Sequence, residues 1–192
     1  MPKIVVLVSG SGSNLQSIID AIKHGDLDCN IAGVIADRDC YGLTRAKEAD
    51  IPAYLVDRKT YREELSQEID KLIPQDTSLI VLAGFLSILD NAFIDKWQNR
   101  IINIHPSLLP KFGGHGMWGN RVHEAVLASG ETESGCTVHL VTSEIDCGQI
   151  VVQQKVPVLK DDTVESLRLR VQKAEHVALI NAIKIASNKI AV

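Results

Sequence analysis

The stretch KIVVLVSGSGSNLQSIIDAIK, residues 3–23, decides the fold of this chain. Its first six residues, Lys3 to Val8, form an apolar, largely β-branched run that is typical of a strand buried on both faces. A glycine- and serine-rich loop follows, and from Asn14 to Lys23 the apolar residues recur at helical spacing on one face. A buried strand that leads through a tight loop into a helix is the opening unit of an α/β fold.

The same alternation continues over the first two thirds of the chain. Further strands are predicted at 31–36, 53–56, 79–83 and 101–104, and helices at 42–49, 58–72 and 89–97. The later segments predict a helix at 121–128, strands at 136–141 and 150–156, and a long helix at 163–186 that Asp162 would cap. The pattern predicts the α/β class, with an open, mostly parallel twisted sheet and helices on both faces. The last two strands would be antiparallel additions toward the C-terminus.

Length and composition fit one globular domain. The 192 residues contain no Pro/Gly/Ser-rich linker and no internal repeat, so a single domain over 1–192 is expected. The formal net charge of −4 argues against broad binding of nucleic acid or of an anionic membrane surface. The first apolar run is too short for a signal peptide, and no stretch is long enough to span a membrane. Four scattered cysteines without a C-x-x-C pair favour a reduced, cytoplasmic protein.

The loop after the first strand has the composition of an anion-binding site. Backbone N–H groups at a helix N-terminus point toward an anion, and the helix dipole adds to the attraction. Gly12, Ser13 and Asn14 are the expected contacts. A dinucleotide fingerprint would need glycine in place of Leu15, and a P-loop would need G-K-[ST], so a phosphomonoester or similar small anion fits better. The alternative is a plain tight turn with a cap.

The run NIHPSLLP, residues 103–110, carries the candidate chemistry. Asn103 and His105 are two residues apart, so in an extended chain both side chains point to the same side. Pro106 ends the strand and favours an extended conformation at His105. A carboxamide donor beside an imidazole forms a compact acid/base and oxyanion pair. The alternative is that Asn103 caps a turn and His105 is a structural histidine.

Asp146, in a turn between two predicted strands, is the third candidate. A carboxylate beside an imidazole raises the pKa of the imidazole, so Asp146 would make His105 a proton donor near neutral pH. No serine or cysteine is placed as an obvious nucleophile, which favours direct attack by a substrate amine. The alternative is that Asp146 only caps its turn. The spacings of His115, His123 and His139 match no metal-ligand pattern, so no metal is expected.

Five sequence blocks, taken together, point to a known family. They are IVVLVSGSGSNLQSIID (4–20), VLAGFLSIL (81–89), INIHPSLLPKF (102–112), GCTVHLVTSEIDCGQIV (135–151) and, more weakly, RVQKAEH (170–176). The chain resembles the phosphoribosylglycinamide formyltransferase family, folate-dependent enzymes of purine synthesis. The resemblance implies a Rossmann-like formyltransferase fold and transfer of a formyl group from 10-formyltetrahydrofolate, as co-substrate, to the amine of glycinamide ribonucleotide. It also implies small-molecule partners only, with the protein a monomer or homodimer.

The resemblance implies a role for each matching residue. Catalysis would fall to Asn103, His105 and Asp146, with the protonated imidazole and the carboxamide stabilising a tetrahedral oxyanion. The substrate phosphate and ribose would be held by two groups: Gly12, Ser13 and Asn14 for the phosphate, and Gln172, Lys173 and Glu175 for the ribose. The folate-binding residues would be Arg58, Leu86, Ser87, Ile88, Leu89, Asn103, Thr142, Ser143, Glu144, Ile145 and Asp146. Phosphate binding would lie in an N-terminal half of about 1–100, and folate binding and catalysis in a half of about 80–192.

The chain departs from the family pattern at three places. Ser87 stands where many relatives have arginine, which affects the folate tail. The segment 113–121 is longer and richer in glycine than the common form, so no role is carried over to His115 or His123. The chain also ends soon after its last helix, at Val192.

Three other functions compete with this interpretation. Formyltransferases that act on methionyl-tRNA or on a nucleotide sugar usually carry a further C-terminal domain, for which these 192 residues leave no room. A formyltetrahydrofolate hydrolase would normally carry an N-terminal regulatory domain. A domain that only senses a phosphorylated metabolite would leave Asn103, His105 and Asp146 without a role.

Overall fold

One mixed sheet organises the molecule in a computed structural model that describes residues 1–190. Its strands are β1 (Lys3–Val8), β2 (Asn30–Ala36), β3 (Ala53–Leu55), β4 (Leu79–Leu82), β5 (Ile101–His105), β6 (Glu133–Leu140) and β7 (Ile150–Pro157). They lie side by side in the order β3-β2-β1-β4-β5-β6-β7. The first five strands pair in parallel, and β6 and β7 are antiparallel. The predicted fold class is therefore confirmed, including the antiparallel strands near the C-terminus.

Helices cover both faces of the sheet. They are α1 (Ser13–Lys23), α2 (Tyr41–Glu48), α3 (Arg58–Tyr61), α4 (Leu65–Leu72), α5 (Asn91–Lys96), α6 (Asn120–Ser129) and α7 (Val164–Ile190). One core lies between the sheet and the apolar sides of α1, α2, α6 and α7. A second core on the opposite face contains the apolar side chains of α4 and α5 and the buried Trp97. No helix in the described part of the chain is long and apolar enough to cross a membrane.

The strand order reverses at β1, because β2 and β4 lie on its two sides. Chain connections therefore leave the carboxyl end of β1 toward one face of the sheet and the carboxyl end of β4 toward the other. In open α/β sheets this reversal opens a crevice outside the carboxyl ends of the strands. The glycine-rich loop after β1 and the NIHPSLLP run at the end of β5 both lie at these carboxyl ends.

Two predicted helices differ from the observed ones. The predicted helix 58–72 is broken, since Arg62 has a left-handed backbone (φ 46°) between α3 and α4. The exposed α3 buries no residue, whereas α4 buries Leu65 and Ile69, so only the second half is held against the sheet. The last helix is capped by Thr163 rather than Asp162: the Thr163 hydroxyl accepts the N–H of Ser166, and the Ser166 hydroxyl accepts that of Thr163.

Candidate functional site

The loop between β1 and α1 presents free backbone donors. Gly12 occupies the position before α1 in a left-handed conformation (φ 71°), and no side chain caps the helix. The first intrahelical bond is donated by Gln16 to the Gly12 carbonyl at 2.9 Å. The N–H groups of Ser13, Asn14 and Leu15 therefore precede the intrahelical ladder and are available to an anion.

The last helix closes this loop from one side. Gln172 donates from Nε2 to the Ser13 hydroxyl at 2.9 Å, and the Asn14 carboxamide lies beside the carboxyl of Glu175. Burial raises the pKa of Glu175 to about 7, against the opposing effects of Asn14 and the charge of Arg168. The Asn14 side-chain oxygen is buried with no partner among the described residues, which leaves it open to a hydroxyl donor. The predicted phosphate and ribose residues thus meet in space, although they are about 160 positions apart in the sequence.

Lys173 is the exception among these predicted residues. Its side chain lies on an exposed position of α7, and no hydrogen bond or ion pair holds it in the described part of the chain. The ribose contact of Lys173 stays a prediction, whereas Gln172 is bonded to Ser13 and Glu175 lies beside Asn14.

The carboxamide of Asn103 is fixed by a residue from the neighbouring strand. Asn103 on β5 pairs with His139 on β6 across the antiparallel ladder, and its Nδ2 lies 3.2 Å from Nε2 of that histidine. His139 Nδ1 lies 2.9 Å from the Leu140 carbonyl, which can only accept, so Nδ1 carries the proton and Nε2 accepts from Asn103. One N–H of the carboxamide is then engaged, and the second is free for a ligand.

His105 sits between two acceptors. Its Nε2–H donates to the Phe112 carbonyl at 2.8 Å, while Nδ1 lies 3.5 Å from Oδ2 of Asp146. The ring is only 4% exposed, and this burial lowers the pKa of His105; the charge of Asp146 and the Phe112 carbonyl offset the effect only in part. The expected contact with Asp146 is present, but the expected rise in the pKa is wrong, because desolvation outweighs the ion pair.

Asp146 is held in an unusual conformation by several contacts. Its backbone is left-handed (φ 56°), and its carboxylate accepts the N–H of Gly114 at 2.9 Å and lies 3.5 Å from His139 Nε2. Burial alone would raise the pKa of Asp146, but the two histidines and the Gly114 N–H outweigh burial, and the pKa lies below its ordinary value. Asp146 is therefore ionised beside His105 at neutral pH.

The glycine-rich segment 113–119 takes part in this arrangement. A Cβ on Gly113 would lie 2.4 Å from Cδ2 of Leu109 and 3.4 Å from Cβ of Asp146, so only glycine fits here without displacing a neighbour. Within the same stretch His115 is exposed. His123, on α6, is buried, and burial above all lowers the pKa of His123 to about 4, so the ring is neutral at physiological pH.

Several of the predicted folate residues line one open groove. The groove has a volume of about 530 Å³. Its residues combine three cationic side chains with exposed apolar ones: Arg58, Lys59, Arg62, Leu65, Leu86, Ser87 and Ile88. Leu86 and Ile88 are 47% and 71% exposed, respectively, although both are large and apolar.

Other predicted folate residues are placed differently. The hydroxyl of Ser87 donates to the buried Asp37 at 2.5 Å, so it is engaged within the protein. Leu89 is only 5% exposed and packs in the core beside α4 and α5, so its side chain does not line the groove. Residues 142–145 form an exposed turn after β6 that leads into Asp146.

Two contributors to the site escape sequence analysis. The sequence offers no role for His139 other than that of a metal ligand, yet this residue orients Asn103. Thr137, opposite His105 on β6, accepts the Leu109 N–H and donates to the Ser107 carbonyl, which fixes the turn after His105. The alternation T-V-H in residues 137–139 was the available signal, since it places Thr137 and His139 on one face. Among the described residues, no three His, Cys, Asp or Glu side chains form a metal-binding group.

Comparison with known proteins gives consistent matches. A family model described as formyl transferase matches residues 2–183. The phosphoribosylglycinamide formyltransferase of Haemophilus influenzae is 42% identical over 180 residues, which cover 92% of this chain and 82% of that protein. The trifunctional purine biosynthetic protein adenosine-3 of Chironomus tentans is 41% identical over 192 residues, but this chain spans only 14% of its length.

A solved structure agrees with both matches. The phosphoribosylglycinamide formyltransferase of Coxiella burnetii superposes with a TM-score of 0.87 at 42% sequence identity, covering 99% of this chain and 87% of that one. Sequence and fold thus agree over almost the whole chain. The resemblance inferred from the sequence is confirmed, and the chain belongs to the formyl transferase family, among the phosphoribosylglycinamide formyltransferases.

Proposed function

We propose that the protein transfers the formyl group of 10-formyltetrahydrofolate to the amine of glycinamide ribonucleotide. The observation that carries the proposal is that an anion-binding loop and an Asn–His–Asp cluster lie together at the carboxyl ends of the parallel strands. The loop follows β1 and His105 ends β5, with only β4 between them. Two strand spacings amount to about 10 Å, comparable to the reach of a ribonucleotide from its phosphate to a glycinamide amine.

The loop and the last helix hold the ribonucleotide in this proposal. The N–H groups of Ser13 and Asn14 bind the phosphate at the positive end of α1. The carboxyl of Glu175 and the free side-chain oxygen of Asn14 accept hydrogen bonds from the ribose hydroxyls. Gln172 keeps α7 against the loop through Ser13.

Chemistry takes place at the end of β5. The unprotonated substrate amine attacks the formyl carbon, a C–N bond forms, and the carbonyl electron pair moves to the oxygen. The free N–H of Asn103 and the imidazolium of His105 stabilise this oxyanion. The tetrahedral intermediate collapses as the bond to N10 breaks, N10 takes up a proton through water, and the attacking nitrogen loses one.

His105 is protonated more readily in the transition state than in the free protein. Burial keeps the ring largely neutral at rest, because it lowers the pKa of His105. A negative oxyanion beside the ring adds to the field of Asp146 and raises that pKa as the reaction proceeds. The interaction is therefore stronger in the transition state than in the ground state, which is the condition for an increase in kcat.

The groove beside Leu86 and Ile88 is the proposed place for the folate. Its exposed apolar side chains suit the aromatic parts of the molecule, and Arg58, Lys59 and Arg62 suit the carboxylates of its glutamyl tail. The turn 142–146 would contact the pterin through its backbone. Ser87 contributes no charge, so the tail depends on these three cations. We also propose a cytoplasmic location and a monomeric or dimeric state.

The direct test is a formyl-transfer assay with purified protein. Formylated ribonucleotide should appear only when both 10-formyltetrahydrofolate and glycinamide ribonucleotide are present. Release of formate without the ribonucleotide would instead indicate a hydrolase. Binding of both ligands without turnover would indicate a sensor.

A further inference from the structure

A single arginine braces the anion-binding loop from behind. Arg45, on α2, donates from Nε to the Ser11 carbonyl at 2.8 Å and from Nη1 to the carboxamide oxygen of Gln16 at 3.1 Å. Its guanidinium lies 4.8 Å from the centroid of the Tyr41 ring, which limits the freedom of the side chain. The contacts join the loop before α1, the first turn of α1, and α2.

The bond to Ser11 fixes the direction of the donor that follows. A trans peptide is planar, so the carbonyl of one residue and the N–H of the next point in opposite directions. Because the Ser11 carbonyl points to Arg45, the N–H of Gly12 points away from it, and this N–H has no acceptor among the described residues. The Gly10 carbonyl is fixed in the same way by the N–H of Gly42 at 3.0 Å, which turns the N–H of Ser11 outward.

The loop is closely packed against its neighbours on this side. A Cβ on Gly12 would lie 2.7 Å from the Cα of Gly42 and 3.2 Å from Cδ of Arg45. A Cβ on Gly42 would lie 2.9 Å from Cγ2 of Val8 on β1. The loop is therefore pressed between β1 and the first turns of α2, and the guanidinium lies at its rear surface.

The charge of Arg45 is not cancelled nearby. Both of its hydrogen-bond partners are neutral oxygens, and no carboxylate forms an ion pair with it in the described part of the chain. By contrast, the charges of Arg38, Arg168 and Arg170 are each paired with a carboxylate. The chain has a net charge of −4, and Arg45 thus places a positive charge directly behind Gly12, one of the candidate phosphate contacts.

We infer that Arg45 is a positioning residue for the phosphate of the substrate. It orients the Gly12 N–H toward the anion and adds a fixed positive field behind the loop, without contacting the phosphate itself. This inference rests on the proposed use of the loop for a ribonucleotide phosphate. It assigns to α2, which carries none of the sequence-predicted site residues, a share in substrate affinity.

Three variants separate positioning and charge from stability. Arg45→Met removes the charge and both hydrogen bonds but keeps the packing on Tyr41, and Arg45→Lys keeps the charge without the planar fork. Arg100→Met is the matched control: Arg100 also stacks on an aromatic ring, 4.5 Å from the Trp97 centroid, and donates to backbone carbonyls. Arg100 lies just before β5, at the amino ends of the parallel strands and therefore away from the anion-binding loop.

The experiment measures dissociation constants for glycinamide ribonucleotide and for inorganic phosphate by calorimetry, with kcat, KM and Tm of each variant. Arg45→Met should weaken ribonucleotide binding about tenfold or more, because the Gly12 N–H is no longer held in place and the positive charge behind the loop is lost. Arg45→Lys should recover part of that loss, and kcat should stay within about twofold throughout. Arg100→Met should leave both dissociation constants unchanged.

Two results would overturn the inference. One is Arg45→Met protein with a wild-type Tm and unchanged affinity for both phosphate and ribonucleotide. The other is a loss of affinity in Arg100→Met equal to that in Arg45→Met, which would indicate a general effect on the fold. If the wild-type protein binds inorganic phosphate but not glycinamide ribonucleotide, and Arg45→Met weakens the binding of phosphate, the proposed substrate fails while the role of Arg45 stands.

Discussion

The two parts of the site are built in different ways. The phosphate loop is local: its donors are consecutive residues between β1 and α1, and its geometry follows from glycine and from the start of a helix. The Asn–His–Asp cluster is assembled from β5 and from the turn before β7, and His139 on β6 holds Asn103. In the proposed function, backbone geometry thus provides binding, while long-range packing provides the reacting groups. The comparison predicts that changes in the two regions affect different kinetic constants.

The largest effect is expected at His105. Replacing His105 with alanine removes the imidazolium that stabilises the oxyanion and should lower kcat by at least about 100-fold. The KM for glycinamide ribonucleotide should change little, because the ring is not part of the phosphate loop. Steady-state kinetics with both substrates varied would measure this, and a variant with near-normal kcat would show that the assigned role is incorrect.

A second change tests the partner of that histidine. Asp146→Asn removes the negative charge that opposes desolvation, so the pKa of His105 should fall further below its ordinary value. We expect kcat at neutral pH to drop about tenfold or more, since the imidazolium becomes harder to form. NMR titration of the ring in both proteins would measure the pKa directly. An equal or higher pKa in the variant would contradict the ion pair.

At the phosphate loop the expected pattern is reversed. Asn14→Ala removes the side chain that lies beside Glu175 and whose buried oxygen has no partner among the described residues, and should raise the KM for glycinamide ribonucleotide about tenfold. The value of kcat at saturation should stay near that of the wild type. A fall in kcat as large as that in the His105 variant would mean that the two regions are not separable.

The last predicted effect concerns stability and pH rather than catalysis. The pKa of Glu175 rises to about 7 in the folded protein, so the neutral form is favoured and stability is lost as the pH rises from the ordinary value toward 7. Glu175→Gln should therefore be more stable than the wild type at pH 8 by about 1–3 kcal/mol, and nearly equal at pH 4.

A neighbouring acid on the same helix serves as the control. The ion pair with Arg168 lowers the pKa of Glu165, so any stability from that acid is present above its ordinary pKa and lost as the pH falls. Glu165→Gln should show no gain at high pH. Chemical denaturation at several pH values measures both variants, and a pH-independent difference for Glu175→Gln would contradict its raised pKa.

The sequence was most informative where structure is local. The run from Lys3 to Val8 matched β1 at both ends, since burial on both faces leaves a continuous apolar run. The start of β6 was harder to predict: it begins at Glu133 rather than at 136, because Ser134 and Gly135 carry no apolar signal and are recruited by pairing with β7. The break at Arg62 likewise depends on which half of the segment meets the core.

The same limit applies to the site. The loop donors follow from glycine and helix chemistry, so sequence analysis could predict them. The role of His139 depends on the register between β5 and β6, which pairs it with Asn103, and no local pattern encodes that register. The pKa of His105 could not be predicted either, since its direction depends on how completely the ring is desolvated.

The most direct test of this division of labour is a double-mutant cycle on kcat/KM with Asn14→Ala and His105→Ala. If one region binds and the other reacts, the two losses in free energy should add to within about 0.5 kcal/mol. A coupling well above about 1 kcal/mol would contradict that division, because it would mean that the loop and the catalytic cluster act as one unit.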